Sequence, residues 1–334
     1  MSTSPISVNL LRYLIVWRIN SPFVWLPKKF AAELSLVLGT IISNRLATNE
    51  AGPWRKALAP LQEYDEHTRA NPDKNSKAIP TNPWPITATL FPYPGKITYG
   101  KEELLLWELK LLGESADHGL FLELLLPAME EAGYTSDPRW KKKNRLWGNF
   151  EVHNIFVARG PHWEPLAREG KLDLRYRPTP VQWQEGLTFA AQGAQAFDTL
   201  AWLTPFAHDE RVTNDNGRKR NRLIAPSAQN ILESLLWRVA ELIPGRHNTA
   251  SQVMASLNAD QLAAWQAAQT EAASLVVRHH DLKPPRRYDL GEMIGTQKFS
   301  APFPPTLLRY LELAAILHVG KFAHYGSGAF QVGT

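Results

Sequence analysis

The sequence predicts an α+β protein made of two β-α-β-β-α-β halves in tandem. Three observations lead to this fold class. The chain has 334 residues, which is enough for two domains of ordinary size. Its composition, 44% hydrophobic and 21% charged, is typical of a globular protein. Segments with strand patterns and segments with helix patterns also follow one another in the same order in both halves.

The first half begins with β-branched and aromatic residues, which predict a strand over residues 9–25. Pro27 then precedes apolar residues at helical spacing, so a helix is predicted from Lys28 to Ala47. Residues 48–97 contain eight prolines, and we predict a long irregular insertion there. The remaining elements of this half are a strand, a helix and a strand, predicted at 103–112, 118–132 and 145–157.

The second half repeats this rhythm after a proline-containing connection at residues 158–185. Strands are predicted at 197–205 and 274–279, with a basic loop at 214–222. Helices are predicted at 227–242 with Ser227 as the N-cap, at 250–273, where alanine dominates, and at 305–318. We therefore predict domains at 1–160 and 161–334, the second ending in a glycine-rich loop.

Positive charge is concentrated in three short segments, although the formal net charge is only +5. These segments are Lys141 to Arg145, Arg218 to Arg222 and Lys283 to Arg287. A solvated face or a membrane surface explains any single segment as well as a nucleic acid does. The three together favour nucleic acid, because clustered cations bind a phosphate backbone.

The absence of cysteine excludes disulfides, thiolate metal sites and cysteine nucleophiles. His279, His280 and Asp281 are adjacent, so they point to opposite faces of a strand and do not predict a shared metal. We predict no metal and no cofactor. Residues 1–30 lack a secretory signal pattern, and the longest apolar segment, 30–42, is too short to cross a bilayer. A cytoplasmic protein without membrane association is expected.

A glycine-rich loop ends the chain after an apolar segment. Its residues of interest are Gly320, Lys321, His324, Tyr325, Gly326, Ser327 and Gly328. Such a loop can offer backbone N–H groups, a cation and an aromatic face to a phosphate chain, since glycine permits positive φ and close approach. Ordinary turns have the same composition, so this loop by itself leaves both interpretations open.

Several segments resemble the RAMP superfamily of CRISPR-associated proteins, and in particular the sixth Cas family, the endoribonucleases that cut precursor CRISPR RNA. The glycine-rich loop carries the most specific resemblance. Further segments fit the family in the expected order: Leu36-Val37-Leu38-Gly39, Gly100 to Leu104 followed by Leu111-Leu112-Gly113, and Arg287-Tyr288 before Gly291 and Gly295.

The resemblance implies two ferredoxin-like (RRM-like) domains that hold RNA across a cleft between them. It implies cleavage without metal, in which a ribose 2′-OH attacks the adjacent phosphate and leaves a 2′,3′-cyclic phosphate and a 5′-hydroxyl. CRISPR repeat RNA would be the substrate and the guide RNA a retained product. Other Cas proteins of an effector complex are further expected partners.

The family commonly uses a histidine in or just after its first helix, but this sequence has no histidine before His67. Members that lack it use lysine or arginine, so by position Lys28, Lys29 and Arg45 are candidates. His67, with Tyr64 nearby, is a further candidate. Solvated helix ends explain the first three equally well, and a surface histidine among acidic residues explains the last.

The predicted RNA contacts are Lys321 as a phosphate clamp and His324 with Tyr325 as stacking or phosphate-contacting groups. Basic residues that could grip the RNA backbone complete the set: Arg286, Arg287, Arg218, Lys219, Arg220, Lys141, Lys142 and Lys143. Two alternatives to an active enzyme remain. One is a catalytically silent RAMP-type subunit that binds a processed guide, and the other is an unrelated two-domain protein whose terminal glycines form a turn.

Overall fold

The structure is a computed structural model that describes residues 5–27, 29–70, 78–93, 95–187, 189, 196–208, 224–243, 249–285 and 290–333, except for the side chains of residues 68–70 and 141–143. The chain forms two compact units. The N-terminal unit is Leu10–Trp183, and the C-terminal unit is Gln184–Thr334 together with Met1–Asn9.

The N-terminal unit contains eight strands and five α-helices among its described residues. In chain order they are β1 Leu10–Ile19, β2 Val24–Trp25, α1 Phe30–Arg45, α2 Thr48–Ala70, β3 Ala88–Pro92, β4 Thr98–Tyr99, β5 Leu104–Leu112, α3 His118–Leu120, α4 Leu126–Tyr134, α5 Pro138–Asn144, β6 Phe150–Arg159, β7 His162–Arg168 and β8 Lys171–Leu172. A π-helical turn, Phe121–Leu125, joins α3 to α4.

The main sheet of this unit has the order β3-β5-β1-β6-β7-β8, and its strand pairs are antiparallel. Helices α1 and α4 pack against each other on one face. Alternate residues of β1 face those helices and are fully buried, including Tyr13, Ile15 and Trp17. Tyr13 stacks on Phe121 of the π-helical turn at a centroid distance of 3.9 Å, so the helices cover the face of the sheet to which Tyr13 points.

Residues 48–97, predicted as an irregular insertion, contain the 23-residue helix α2 and the strand β3, so that prediction was wrong. Buried residues recur on α2 at helical spacing, at Ala51, Trp54, Leu58, Leu61 and Tyr64. Its two internal prolines are on the exposed side, where water can bond the carbonyl groups that lose their partner. The helical periodicity therefore outweighs the proline content.

Helix α2 packs on α1, and Gly39 of α1 marks a close approach. A Cβ at this glycine would lie 2.8 Å from Cδ2 of Leu58 and 2.9 Å from Nε1 of Trp84. The indole of Trp84 donates to the backbone oxygen of Ser35 at 3.0 Å. The glycine of the Leu36-Val37-Leu38-Gly39 segment thus serves helix packing.

The connection predicted at 158–185 also differs from the structure, because it continues the first sheet as β7 and β8. Residues 161–183 consequently belong to the N-terminal unit, whereas the prediction placed the domain boundary after residue 160. The hairpin β6–β7 turns at Gly160, whose φ of 53° is in the left-handed region that glycine tolerates. Neither β7 nor β8 has the strict alternation of apolar and polar residues that would have predicted a strand from the sequence.

The C-terminal unit contains four strands and four α-helices in its described part. They are β9 Thr199–Trp202, α6 Ala228–Leu242, α7 Ala250–Ser256, α8 Ala259–Ser274, β10 Val277–His280, β11 Thr296–Phe299, α9 Pro305–Leu317 and β12 Phe330–Gly333. Ser227 caps α6 in a capping box with Asn230, as the sequence predicts. The predicted alanine-rich helix is interrupted, because α7 ends at its C-cap Leu257 and Asn258 then caps α8.

The sheet of the C-terminal unit has the order β10-β11-β9-β12 and is antiparallel throughout. The strands β3-β5-β1-β6 of the N-terminal unit have the same arrangement. In each β-α-β-β-α-β core, the spatial order is the second, third, first and fourth strand along the chain. The predicted fold class, two ferredoxin-like halves in an α+β chain, is confirmed. None of the helices that the structure describes is long and apolar enough to span a membrane.

Candidate functional site

Lys29, one of the predicted catalytic residues, lies at the start of α1 and contacts α2. Its ammonium donates a hydrogen bond to the hydroxyl of Tyr64, and its Nζ lies 4.9 Å from the centroid of the same ring. Tyr64 is buried to 8% exposure because its side of α2 packs on α1. The packing of two helices therefore holds a lysine ammonium and a phenol together.

Glu33, one turn further along α1, connects this end of the helix to α5. Its Oε1 accepts hydrogen bonds from Nδ2 of Asn144 at 2.8 Å and from Nε1 of Trp147 at 2.7 Å. Asn144 is the last residue of α5, the helix that carries Lys141, Lys142 and Lys143. The backbone of a predicted RNA-binding segment thus ends beside the helix turn that begins at Lys29.

His67 lies three residues after Tyr64 on α2 and is half-buried. Residues separated by three positions are neighbours on a helix surface, with Cβ atoms about 5–6 Å apart. The structure therefore places the ammonium of Lys29 against the phenol of Tyr64, with His67 on the next turn of α2. All three side chains suit phosphodiester chemistry. We call these three residues the α1–α2 cluster.

Arg45, the other catalytic candidate that the structure describes, is at the far end of α1. At a rise of about 1.5 Å per residue, the 16 residues of this helix separate it from Lys29 by about 24 Å. Its Nη1 pairs with Oε2 of Glu131 on α4 at 3.0 Å. Arg45 is therefore not part of the α1–α2 cluster. Lys28 lies outside the described residues.

The glycine-rich loop is folded back against the C-terminal unit. Gly320, Gly326 and Gly328 all have positive φ, at 93°, 75° and 75°. At Gly328 a Cβ would overlap the backbone carbonyl of Val319, so only glycine fits there. The loop begins after His318, the C-cap of α9, which is buried at 1% exposure.

Five backbone N–H groups of the loop donate hydrogen bonds to carbonyl groups of the same unit. The N–H of Lys321 donates to Ala207 at 3.1 Å and that of Gly328 donates to Pro205 at 3.0 Å. The N–H groups of Tyr325, Gly326 and Ser327 donate to carbonyls of Phe322 and Ala323 inside the loop. These five donors are not directed at a ligand, contrary to the expectation that the loop presents them.

His324 and Tyr325 are both buried, at 3% and 4% exposure, and their rings meet edge to face at 4.9 Å. Lys321 is partly exposed, and its Nζ lies 5.9 Å from the centroid of the Phe322 ring. Ser327 donates from Oγ to the carbonyl of Leu290 at 2.8 Å. Lys321 is thus partly exposed, whereas the side chains of His324, Tyr325 and Ser327 are buried.

Thr204 is a residue of this loop's framework that the sequence analysis missed. Its Oγ1 donates to the carbonyl of Gly326 at 2.8 Å and accepts from the N–H of Ala329 at 2.9 Å. One hydroxyl thereby joins the segment after β9 to both sides of the final glycines. A single threonine before a proline has no distinguishing sequence signal.

The other predicted basic contacts are not placed by the structure. Arg218, Lys219, Arg220, Arg286 and Arg287 lie outside the described residues, as do the side chains of Lys141, Lys142 and Lys143. Within the part of the chain that is described, no three histidine, aspartate or glutamate side chains form a group that could hold a metal ion.

Residues 200–330 match the family model of the CRISPR-associated endoribonuclease Cas6. The match covers less than half of the chain. It runs from β9 to the start of β12 and includes the whole glycine-rich loop, and the resemblance predicted from that loop is confirmed. No curated protein matches the chain.

Solved Cas6 structures are similar to this chain over almost its whole length. A Cas6 product complex is 15% identical, with 97% of this chain and 99% of that chain covered and a TM-score of 0.47. Cas6 of Thermus thermophilus is 16% identical, with 98% and 99% covered and a TM-score of 0.44. A partial Cas6-RT-Cas1–Cas2 complex is 13% identical and has a TM-score of 0.51, and this likeness shows a shared fold. The match covers 98% of this chain but 46% of that one.

Proposed function

We propose that this protein is a CRISPR RNA-processing endoribonuclease that cuts repeat RNA without a metal ion. In the proposed reaction a ribose 2′-OH attacks the adjacent phosphorus, and the bond to the 5′ oxygen breaks. The products are a 2′,3′-cyclic phosphate and a 5′-hydroxyl. The Cas6 family match over residues 200–330 carries this proposal, and the α1–α2 cluster supplies suitable chemical groups.

The reaction needs a proton acceptor at the 2′-OH, a proton donor at the leaving oxygen and a cation beside the phosphate. We assign the cationic role to Lys29, whose ammonium can donate to a phosphate oxygen as negative charge develops. Histidine is the side chain best suited to proton transfer near neutral pH, so His67 is assigned that role. Tyr64 positions the ammonium through its hydroxyl and its ring.

RNA binding is assigned to the predicted basic segments and to the glycine-rich loop. Within that loop, Lys321 is the proposed phosphate contact because it is the accessible cation. Gly320, Gly326, Ser327 and Gly328 shape the loop, while His324 and Tyr325 would need a local rearrangement to reach a base. We further propose that the guide RNA stays bound after cleavage. Because a similar structure contains Cas1 and Cas2, other Cas proteins are proposed partners.

The alternative is a catalytically silent RNA-binding subunit of a CRISPR effector complex. The observation in its favour is the lack of any histidine before His67, where the family commonly has one. The burial of His324 and Tyr325 within the loop is compatible with either function.

The decisive experiment incubates the purified protein and EDTA with a panel of labelled CRISPR-repeat RNAs, including copies with a single deoxyribose at the scissile position. Active enzyme should cut a normal repeat and not its deoxy copy. Tight binding without cleavage supports the silent subunit. The absence of both binding and cleavage across the panel would refute both functions.

The α1–α2 cluster is tested in the same assay with Lys29→Ala and His67→Ala. Each should slow cleavage by about 100-fold or more, since a proton-transfer or charge-stabilising group contributes about that much, while binding changes little. Lys56→Ala is the matched control, because Lys56 is an exposed lysine on α2. Equal cleavage by the control and both variants would show that the reaction takes place elsewhere.

A further inference from the structure

The main sheet of the N-terminal unit has a second face, opposite α1 and α4, that is apolar and partly exposed. Leu14 on β1 and Leu104 and Leu106 on β5 lie on this face, and the two β5 leucines are 45% and 38% exposed. The exposed aromatic residue Tyr93 follows β3 directly at 42% exposure. Large apolar side chains grouped on a surface indicate a binding site more often than single ones do.

These residues form a pocket of about 260 Å³. Tyr93 and Tyr99 provide aromatic walls, the three leucines provide an apolar lining, and Lys96 stands at the rim. Typical pockets for drug-sized ligands measure about 300–1,000 Å³, so this volume suits a single planar ring system. Lys96 pairs with Glu103 at 2.5 Å and lies 5.6 Å from the centroid of the Tyr99 ring, which holds that cation in place.

A buried ion cluster lies beside the pocket, close to its most exposed aromatic wall. The charges of Glu108 and Arg12 act on the phenol of Tyr93, and Oε1 of Glu108 accepts from Nε of Arg12 at 2.6 Å. Nζ of Lys110 lies 3.9 Å from the same oxygen. Burying such charges is costly, and here they lie beside a tyrosine ring that stays 42% exposed.

The charge of this cluster favours an anionic ligand. Two cations, Arg12 and Lys110, surround one carboxylate, Glu108, which leaves a net charge of +1 behind the apolar pocket. A nucleotide combines a flat ring, which stacks on an aromatic side chain, with a phosphate that the positive charge attracts. An apolar side chain of a protein partner would use the ring and the leucines but not the charge.

We propose that this pocket binds one unstacked base of a single-stranded RNA segment, with Tyr93 as the stacking ring and the cluster of Arg12, Lys110 and Glu108 as the positive charge that attracts the phosphate. This assignment rests on the proposed function, since it specifies how the substrate RNA is held. It adds a contact on the N-terminal unit that neither the glycine-rich loop nor the basic segments supply.

The test compares Tyr93→Leu and Tyr93→Phe with a control, Tyr134→Leu, which removes a more exposed tyrosine of the same unit. Binding is measured by fluorescence anisotropy with unstructured 12-nucleotide RNAs and with repeat RNAs. A stacked base contributes about 1–3 kcal/mol, so Tyr93→Leu should bind about 5- to 150-fold more weakly. Tyr93→Phe should stay within a few-fold of the unmodified protein, and Tyr134→Leu should match it.

The position of the base is tested with 2-aminopurine placed in turn at each single-stranded nucleotide. One position should show quenched fluorescence with the unmodified protein, and this quenching should be lost in Tyr93→Leu. If Tyr93→Leu does not fold, Leu106→Glu puts a charge into the pocket instead, with Leu174→Glu as the exposed control. The expected result for Leu106→Glu is the same loss.

These measurements separate the subsite from the proposed function. Tyr93-dependent binding of unstructured RNA without cleavage of any repeat would retain the subsite and reject the nuclease. Cleavage of a repeat with unchanged binding and quenching in Tyr93→Leu would overturn the subsite and retain the nuclease. The absence of any RNA binding would overturn both.

Discussion

The two units share one strand order but are stabilised in different ways. The three central strands β1, β5 and β6 of the N-terminal sheet have nine or ten residues, whereas each strand of the C-terminal sheet has four. The long strands provide a wide open face with buried charges. The short strands depend on the loop that follows α9, which Thr204 and close glycine contacts hold in place. The same strand order therefore provides an open sheet face in the N-terminal unit and a tightly packed loop in the C-terminal unit.

The largest expected effect is on the C-terminal unit, in the variant Gly328→Ala. The added Cβ would overlap a backbone carbonyl, at a residue whose φ is 75°, so the loop must move. We expect a loss of about 4 kcal/mol or more in the free energy of unfolding. Urea denaturation measures it, with Gly333→Ala as the control, since no atom lies within 4 Å of the Cβ added there. Equal stability of both variants would mean that the loop is not locked.

A smaller effect is expected in the N-terminal unit for Glu108→Gln, which leaves the charges of Arg12 and Lys110 without their carboxylate. Removing one partner of a buried ion pair costs about 3–5 kcal/mol, and the neutral amide, which can still accept a hydrogen bond, places this variant near 3 kcal/mol. Glu130→Gln, an exposed residue on α4, should change the free energy of unfolding by less than about 0.5 kcal/mol.

Acid unfolding provides the second readout of the same variant. Burial raises the pKa of Glu108, but the charges of Arg12 and Lys110 lower that pKa more, so its net direction is downward. A carboxyl with a lowered pKa stabilises the fold above its unfolded pKa of about 4.3, and the stabilisation is lost as pH falls through the folded value. Between neutral pH and acid, the unmodified protein should therefore lose more stability than Glu108→Gln. A parallel pH dependence in both would contradict this assignment.

The smallest effect is expected for Arg45→Ala. The ion pair with Glu131 is solvent-exposed, at 45% and 34% of the two side chains, and such pairs contribute about 0.2–1 kcal/mol. Because Arg45 is about 24 Å from Lys29, repeat cleavage should also be nearly unchanged. Slower cleavage than in Lys29→Ala would move the proposed reaction site to the other end of α1.

The sequence predicted most of the fold because, in each unit, the helices and strands that pack into the core have a strong hydrophobic periodicity. The helices at 30–45, 228–242 and 305–317 and the strand at 104–112 lie within or near the predicted bounds. Helix α2 was missed because its prolines, exposed and therefore tolerated, suggested a loop. Strands β7 and β8 were missed because they are the last two strands at one end of the sheet, where burial is partial and the pattern is weak.

The candidate site was less predictable than the fold, because it depends on which elements pack together. Position in the sequence indicated Lys29 and His67 separately, but only the packing of α2 on α1 brings Tyr64 to Lys29. Arg45, which sequence position had made an equal candidate, lies at the other end of α1, where it pairs with Glu131. The pocket beside Tyr93 had no sequence signal, since its lining comes from three separated segments.

The ends of the first sheet have a consequence for how the molecule behaves in concentrated solution. In the described part of the chain, one edge strand, β3, has five residues and ends at Pro92, and the other, β8, has only two residues. A strand from another molecule could add few hydrogen bonds to either, because short strands and proline deny it a continuous row of partners. The sheet is therefore protected against growth into fibrils, even though its central strands are long and strongly apolar.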